Sequence, residues 1–189
     1  MASAEQPAAH WNMTLGRAVA DGVVRVAFNS VGASSGDSVL LTVSKTPSAR
    51  PGLFELDLPA GTVLKARSDE SQDLVVVAVR GRALPDGRIR PGNRILVASR
   101  RPVTYVIAAY CTDGEKSDPE PGSRYALGGR DAGLACVARA GLGLPVPVMQ
   151  AAVWMRSEQI DLEAVAQRLP VPDAWQEAVM RAVLSCGRH

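Results

Sequence analysis

Histidine is almost missing from this sequence: the only two, His10 and His189, stand near opposite ends of the chain. Zinc sites lean on histidine and paired cysteines, and no CxxC pair is present, so the motifs call for no metal. A cysteine nucleophile normally needs a histidine base, so a Cys–His hydrolase is disfavoured as well. Lysine is also scarce, limited to Lys45, Lys65 and Lys116, and the arginines are spread along the chain. With a net charge of +2 and 4% aromatic residues, the chain lacks the basic stripe and stacking partners of a nucleic-acid binder. No apolar run is long enough to span a bilayer. Cys111, Cys136 and Cys186 form an odd, widely spaced set. Such a set argues against a disulfide scaffold and predicts a reducing compartment, with Cys136 a simple core residue. The opening MASAEQPAAHWNM has neither a basic nor an apolar leader region. The expectation is therefore a cytoplasmic protein, or a secreted one if the sequence is a trimmed mature domain.

What is present is a β-rich first part and a helical last part. Residues 1–20 read as an N-terminal arm or short helix. From Val23 the period becomes two: Val24, Val26 and Phe28 alternate with Arg25 and Ala27, and Phe54, Leu56 and Leu58 alternate with Glu55 and Asp57. Leu74–Val79 is apolar at every position, as in a central strand covered on both faces. Turn signals at Pro85-Asp86-Gly87 and Pro91-Gly92-Asn93 precede Val103–Cys111, the longest alternating strand. After the polar loop 112–125 the pattern turns helical. Asp131, Asp161 and Asp173 are candidate helix caps, the last with Gln176 in a capping box, and Pro147 fits a first turn. The prediction is an α+β protein: an antiparallel β-sandwich or barrel over 21–125, followed by a C-terminal helical layer over 126–189. No repeat is visible.

Two positions carry chemistry. Cys111 ends the long strand and shares a face with Tyr105, Ile107 and Ala109, which reads as the inward face. Its simplest role is that of a small buried hydrophobe. Gln150 is the one polar residue in the run Val146–Met155. Burying a primary amide there costs about 1–3 kcal/mol unless it finds hydrogen-bond partners. Trp154, one turn later, would cover it. One reading is a core glutamine bonded to a strand or loop. The other makes the Cys111 thiol its partner, since a cysteine attacking a glutamine amide expels ammonia and leaves an internal thioester.

The two motifs resemble those of bacterial thioester domains. These carry a cysteine closing an aromatic-rich strand and, later, a glutamine in the form apolar-Gln-x-x-apolar-Trp. Ala109-Tyr110-Cys111 with the following Asp113–Gly122 loop is similar to the first, and Met149-Gln150-Ala151-Ala152-Val153-Trp154 is similar to the second. The likeness covers roughly 103–157. It implies a sandwich with a helical layer, Cys111 as the thioester sulfur and Gln150 as the acyl donor. Tyr110, Asp113 and Trp154 would then be the adjoining binding residues. The partner would be a protein or other macromolecule with an accessible amine or hydroxyl, and no cofactor is called for. Thr112 stands where the family has an apolar residue, and the cysteine–glutamine segment is short. The alternatives are a non-covalent interaction module with an unreactive Cys111 and Gln150, and, in third place, a cysteine-dependent enzyme. Asp113, Glu115, Asp118 and Glu120 do not match a calcium loop and read as a solvated acidic segment. Lys45 and Lys65 are weaker candidates for an isopeptide bond.

Overall fold

The alternating segments become strands, and six of them close into a barrel. The computed structural model describes residues 9–187. The elements in order are β1 His10–Thr14, α1 Leu15–Ala20, β2 Val24–Val31, β3 Ser35–Lys45, β4 Leu53–Asp57, β5 Thr62–Ala66 and β6 Leu74–Ala83. They continue with β7 Ile89–Pro91, β8 Ile95–Val97, β9 Val103–Cys111, β10 Pro121–Arg130, α2 Ala132–Ala140, α3 Val146–Ser157, α4 Leu162–Ala166 and α5 Asp173–Leu184. Antiparallel pairing runs β5-β10-β2-β3-β9-β6 and returns from β6 to β5, so the sheet has no free edge apart from the short β7 extension. A second sheet, β1-β4-β8, packs with α1 against the barrel core and contains one parallel pair, β1 with β4.

The architecture is thus the expected α+β arrangement, with two departures. Pro121–Arg130 is a strand where the sequence suggested the end of a loop and the start of the helices. Its four residues Gly122, Ser123, Gly128 and Gly129 weaken the alternation, and Tyr125 is its one fully buried side chain. Within the stretch read as an N-terminal arm, residues 10–20 are part of the fold: β1 pairs with β4, and Leu15 and Ala18 of α1 are wholly buried. Residues 1–8 and 188–189, His189 among them, lie outside the described residues.

The strands β6 and β9 are buried on both faces. Leu74, Val76, Ile107, Ala109 and Cys111 point into the barrel. Val75, Val77 and Tyr110 point outward and pack against Leu134 and Ala138 of α2 and Met149 and Val153 of α3. Each such aliphatic side chain contributes roughly 1.5–3 kcal/mol by leaving water, so this shared wall fixes the helical layer on the sheet. α2 can approach so closely because Gly61, at φ +84°, lies against Ala135, where a Cβ would collide.

The helix caps follow the sequence in two cases of three. Asp131 accepts from Leu134 N–H, and Asp161 from Ala164 N–H, both at 2.8 Å. The third helix starts one residue earlier than the capping box implied: Pro172 is its N-cap, and Asp173 bonds the Gln176 side chain instead of the backbone. Cys136 of α2 and Cys186, just after α5, form a disulfide, which corrects the expectation of free, reduced cysteines. The partners are 50 residues apart, too distant for spacing to reveal them. The remaining cysteine, Cys111, is free and buried.

Candidate functional site

Cys111 is the last residue of β9, where the ladder to β3 runs out. Its N–H donates to Ser34 O at 3.0 Å, just beyond the paired residues of β3. The next residue, Thr112, donates to Asp73 O, while the N–H and C=O of Cys111 are also reached from the helical layer by Gln150, which shares that N–H with Ser34 O. Its Oε1 accepts from Cys111 N–H at 3.2 Å, and its Nε2 donates to Cys111 O at 2.7 Å. The carboxamide thus behaves as a short piece of strand laid along one residue. Its carbonyl carbon, which joins the two bonded atoms, is held beside Cys111. Both residues are buried, Gln150 to 4% exposure.

The thiol sits in apolar surroundings. Burial, with smaller contributions from the carboxylates of Asp118 and Asp113, pushes Cys111 up to about 12. An ordinary thiolate nucleophile is therefore suppressed at neutral pH. His10, the one histidine among the described residues, is paired with Glu55 at 3.1 Å in the small sheet.

The loop after Cys111 lies across the end of α3. Gly114 rests on Trp154, and a Cβ there would lie 3.2 Å from the indole ring and 3.0 Å from Arg168 Nη1. Gly114 N–H donates to Glu158 Oε1 at 2.7 Å. Arg168 then joins Glu158 at 2.7 Å to Glu115 at 3.2 Å, latching loop to helix. Beside this latch opens a cleft of about 520 Å³ whose lining includes Thr112, Asp113, Glu115, Ser157, Glu158 and Arg168. A larger, mainly apolar cleft of about 580 Å³ between α3, α4 and α5 touches neither Cys111 nor Gln150.

The structure brings Cys111 and Gln150 together, sets Trp154 one turn further along α3 against Gly114, and places Asp113 on the adjoining cleft, where its carboxylate caps Glu115 N–H. Tyr110 is different. At 5% exposure it packs under α2 and α3, as alternation along β9 requires once Cys111 points inward, so it is a wall residue rather than one open to a partner. Of the acidic loop residues, Glu115 serves the latch and Asp118 accepts from the Gln72 side chain. Among the described residues no group of three or more His, Cys, Asp or Glu is arranged to hold a metal. Lys65 forms an exposed ion pair with Asp73, and Lys45 donates to the carbonyls of Arg50 and Gly52 above the Phe54 ring. The latch residues Glu158 and Arg168 carry no local sequence signal, because the loop residues they hold, Gly114 and Glu115, lie more than forty residues upstream.

No family model, no curated protein and no solved structure matches the chain. No helix among the described residues is long and apolar enough to cross a membrane.

Proposed function

We propose that this chain captures a partner covalently through an internal thioester between Cys111 and Gln150, as the resemblance to bacterial thioester domains implies. The supporting observation is the reciprocal pair of hydrogen bonds that holds the Gln150 amide against Cys111 in a buried site. In the proposed reaction the Cys111 sulfur attacks the Gln150 carbonyl carbon. The S–C bond forms, the C–N bond breaks, and the thiol proton leaves with ammonia. The Cys111 N–H already faces Oε1, where negative charge develops in the tetrahedral intermediate. An amine or hydroxyl of the partner then opens the thioester: its nitrogen or oxygen bonds to the Gln150 acyl carbon, and its proton returns to the sulfur. Burial keeps water from the bond, and the loop held by Glu158 and Arg168 governs entry from the cleft. The Cys136–Cys186 disulfide favours the secreted alternative for the compartment, since such bonds persist where the surroundings are oxidising.

Intact mass tests the reading. A thioester leaves the protein lighter than its disulfide-bonded sequence by one ammonia, and Cys111→Ala abolishes the deficit. A mass without the deficit, together with a titratable Cys111 thiol, would remove the proposal. A second reading has its own support, because the same two hydrogen bonds satisfy a buried amide that does no chemistry. In that case the fold is a non-covalent interaction module. A cysteine-dependent enzyme ranks last, given the strongly raised thiol and a histidine bound elsewhere.

A further inference from the structure

Four buried side-chain polar atoms have no hydrogen-bond partner among the described residues: Gln72 Oε1, Tyr125 Oη, Trp154 Nε1 and Ser157 Oγ. All four belong to segments that flank the Cys111–Gln150 pair. Trp154 and Ser157 follow Gln150 on α3. Gln72 and Tyr125 approach from the barrel side, and they are the two that are more than nine-tenths buried. Unpartnered buried groups are rare in folded proteins, and their concentration here calls for a reason.

The strand register locates Tyr125. On β10 it pairs with Ala66 of β5; two residues earlier Leu64 pairs with Leu74 of β6; Leu74 pairs with Cys111 of β9. Tyr125, Leu64, Leu74 and Cys111 all point inward and belong to one core cluster. In the ring of strands β10 stands three places from β9 in either direction, so these inward side chains face each other across the barrel. The other inward tyrosine makes the contrast. Tyr105, six residues before Cys111 on β9, accepts from Leu96 N–H at 2.8 Å and donates to Leu96 O at 2.9 Å. Its hydroxyl is fully used in joining the two sheets, whereas that of Tyr125 is bonded to nothing.

We infer that the Tyr125 hydroxyl is the hydrogen-bond donor to the Cys111 sulfur, acting when negative charge gathers on it. This inference rests on the thioester reading and adds a group to the reaction. Charge builds on sulfur twice: as the thiol attacks Gln150, and as the thiolate is expelled by the partner's nucleophile. Cys111 is wholly buried in the barrel core, away from bulk water, and a phenol from the same core cluster supplies the donor that water would otherwise provide. The hydroxyl remains protonated throughout, because burial first, then the nearby Cys111 and Asp73, push its pKa well above the ordinary tyrosine value. It therefore donates a hydrogen bond without giving up its proton, and the proton balance of both steps is unchanged.

Tyr125→Phe removes this donor while keeping the ring. Because the lost hydroxyl has no partner in the folded core, the variant should melt close to the wild type. Time-resolved intact mass during refolding, and during opening by methylamine, should show both steps slowed about tenfold or more, the scale of losing a hydrogen bond to a charged group. Incorporating 3-fluorotyrosine at position 125 makes the donor more acidic at nearly constant shape, and should accelerate opening instead. Unchanged rates in both variants overturn the inference while leaving the thioester standing. A wild-type mass without the ammonia deficit overturns the thioester reading, and this role with it. If Tyr125→Phe fails to fold, the fluorotyrosine protein decides alone.

Discussion

The barrel and the helical layer are closed by different means. The barrel closes by hydrogen bonding, each strand of the ring paired on both sides, around a continuous core that includes Phe28, Leu41, Leu74 and Ile107. The helices have no such ring. Their own core, around Val137, Val148, Ala152 and Val179, is smaller, and it is clasped by one covalent link from α2 to the end of α5. Cys111 comes from the first region and Gln150 from the second. A pair assembled in this way holds its geometry only while the second region stays docked on the first, so the shared wall of Val75, Val77, Tyr110, Met149 and Val153 is part of the site.

The comparison can be broken most severely at the clasp. Reducing Cys136–Cys186, or replacing Cys136 with Ser, should cost up to about 4 kcal/mol on the chain-entropy view of a loop of this length. Helical circular dichroism should fall at lower denaturant than the β signal. Coincident transitions would show that the layers unfold as one. Leu74→Ala, inside the barrel, should cost about 3 kcal/mol and move both signals together in a urea titration. Alkaline pH sharpens the contrast in another way. The Cys111 thiol rises from 9.0 to about 12 on folding, so the unfolded chain loses this proton first. For the free-thiol form, stability from this group is intact below about 9 and is lost as pH climbs toward about 12. Cys111→Ala should flatten that part of the pH–stability curve. The smallest effect on stability belongs to Arg168→Ala. It should leave the melting temperature nearly unchanged, while amide exchange at residues 113–116 speeds up and methylamine reaches the site faster. Unaltered exchange there would mean that Gly114 and Glu158 hold the loop without help.

Much of the barrel was legible because burial on one face writes a period of two into β2 and β4, and burial on both faces writes an unbroken apolar run into β6. The helix caps at Asp131 and Asp161 were legible for a local reason, an oxygen within three residues of the N–H it accepts from. What escaped was non-local. β10 hides behind its glycines and is recognisable only by its two neighbours, and β1 only by its parallel partner Leu53–Asp57. The disulfide joins residues whose spacing carries no signature. At the site, Cys111 and Gln150 stood out by context: one ends a strand, the other interrupts an apolar helix. Tyr125, Gln72, Glu158 and Arg168 did not stand out, since each matters through a neighbour distant in the chain.

The clasp between Cys136 and Cys186 has a mechanical consequence. A pull applied along the polypeptide would pass from one sulfur to the other, and the residues enclosed between them, Gln150 included, would carry no tension along their backbone. With a sequence separation of 50, roughly 170 Å of extensible contour is locked away at about 3.4 Å per residue. In a single-molecule stretching experiment, that length should appear only after a reducing agent is added.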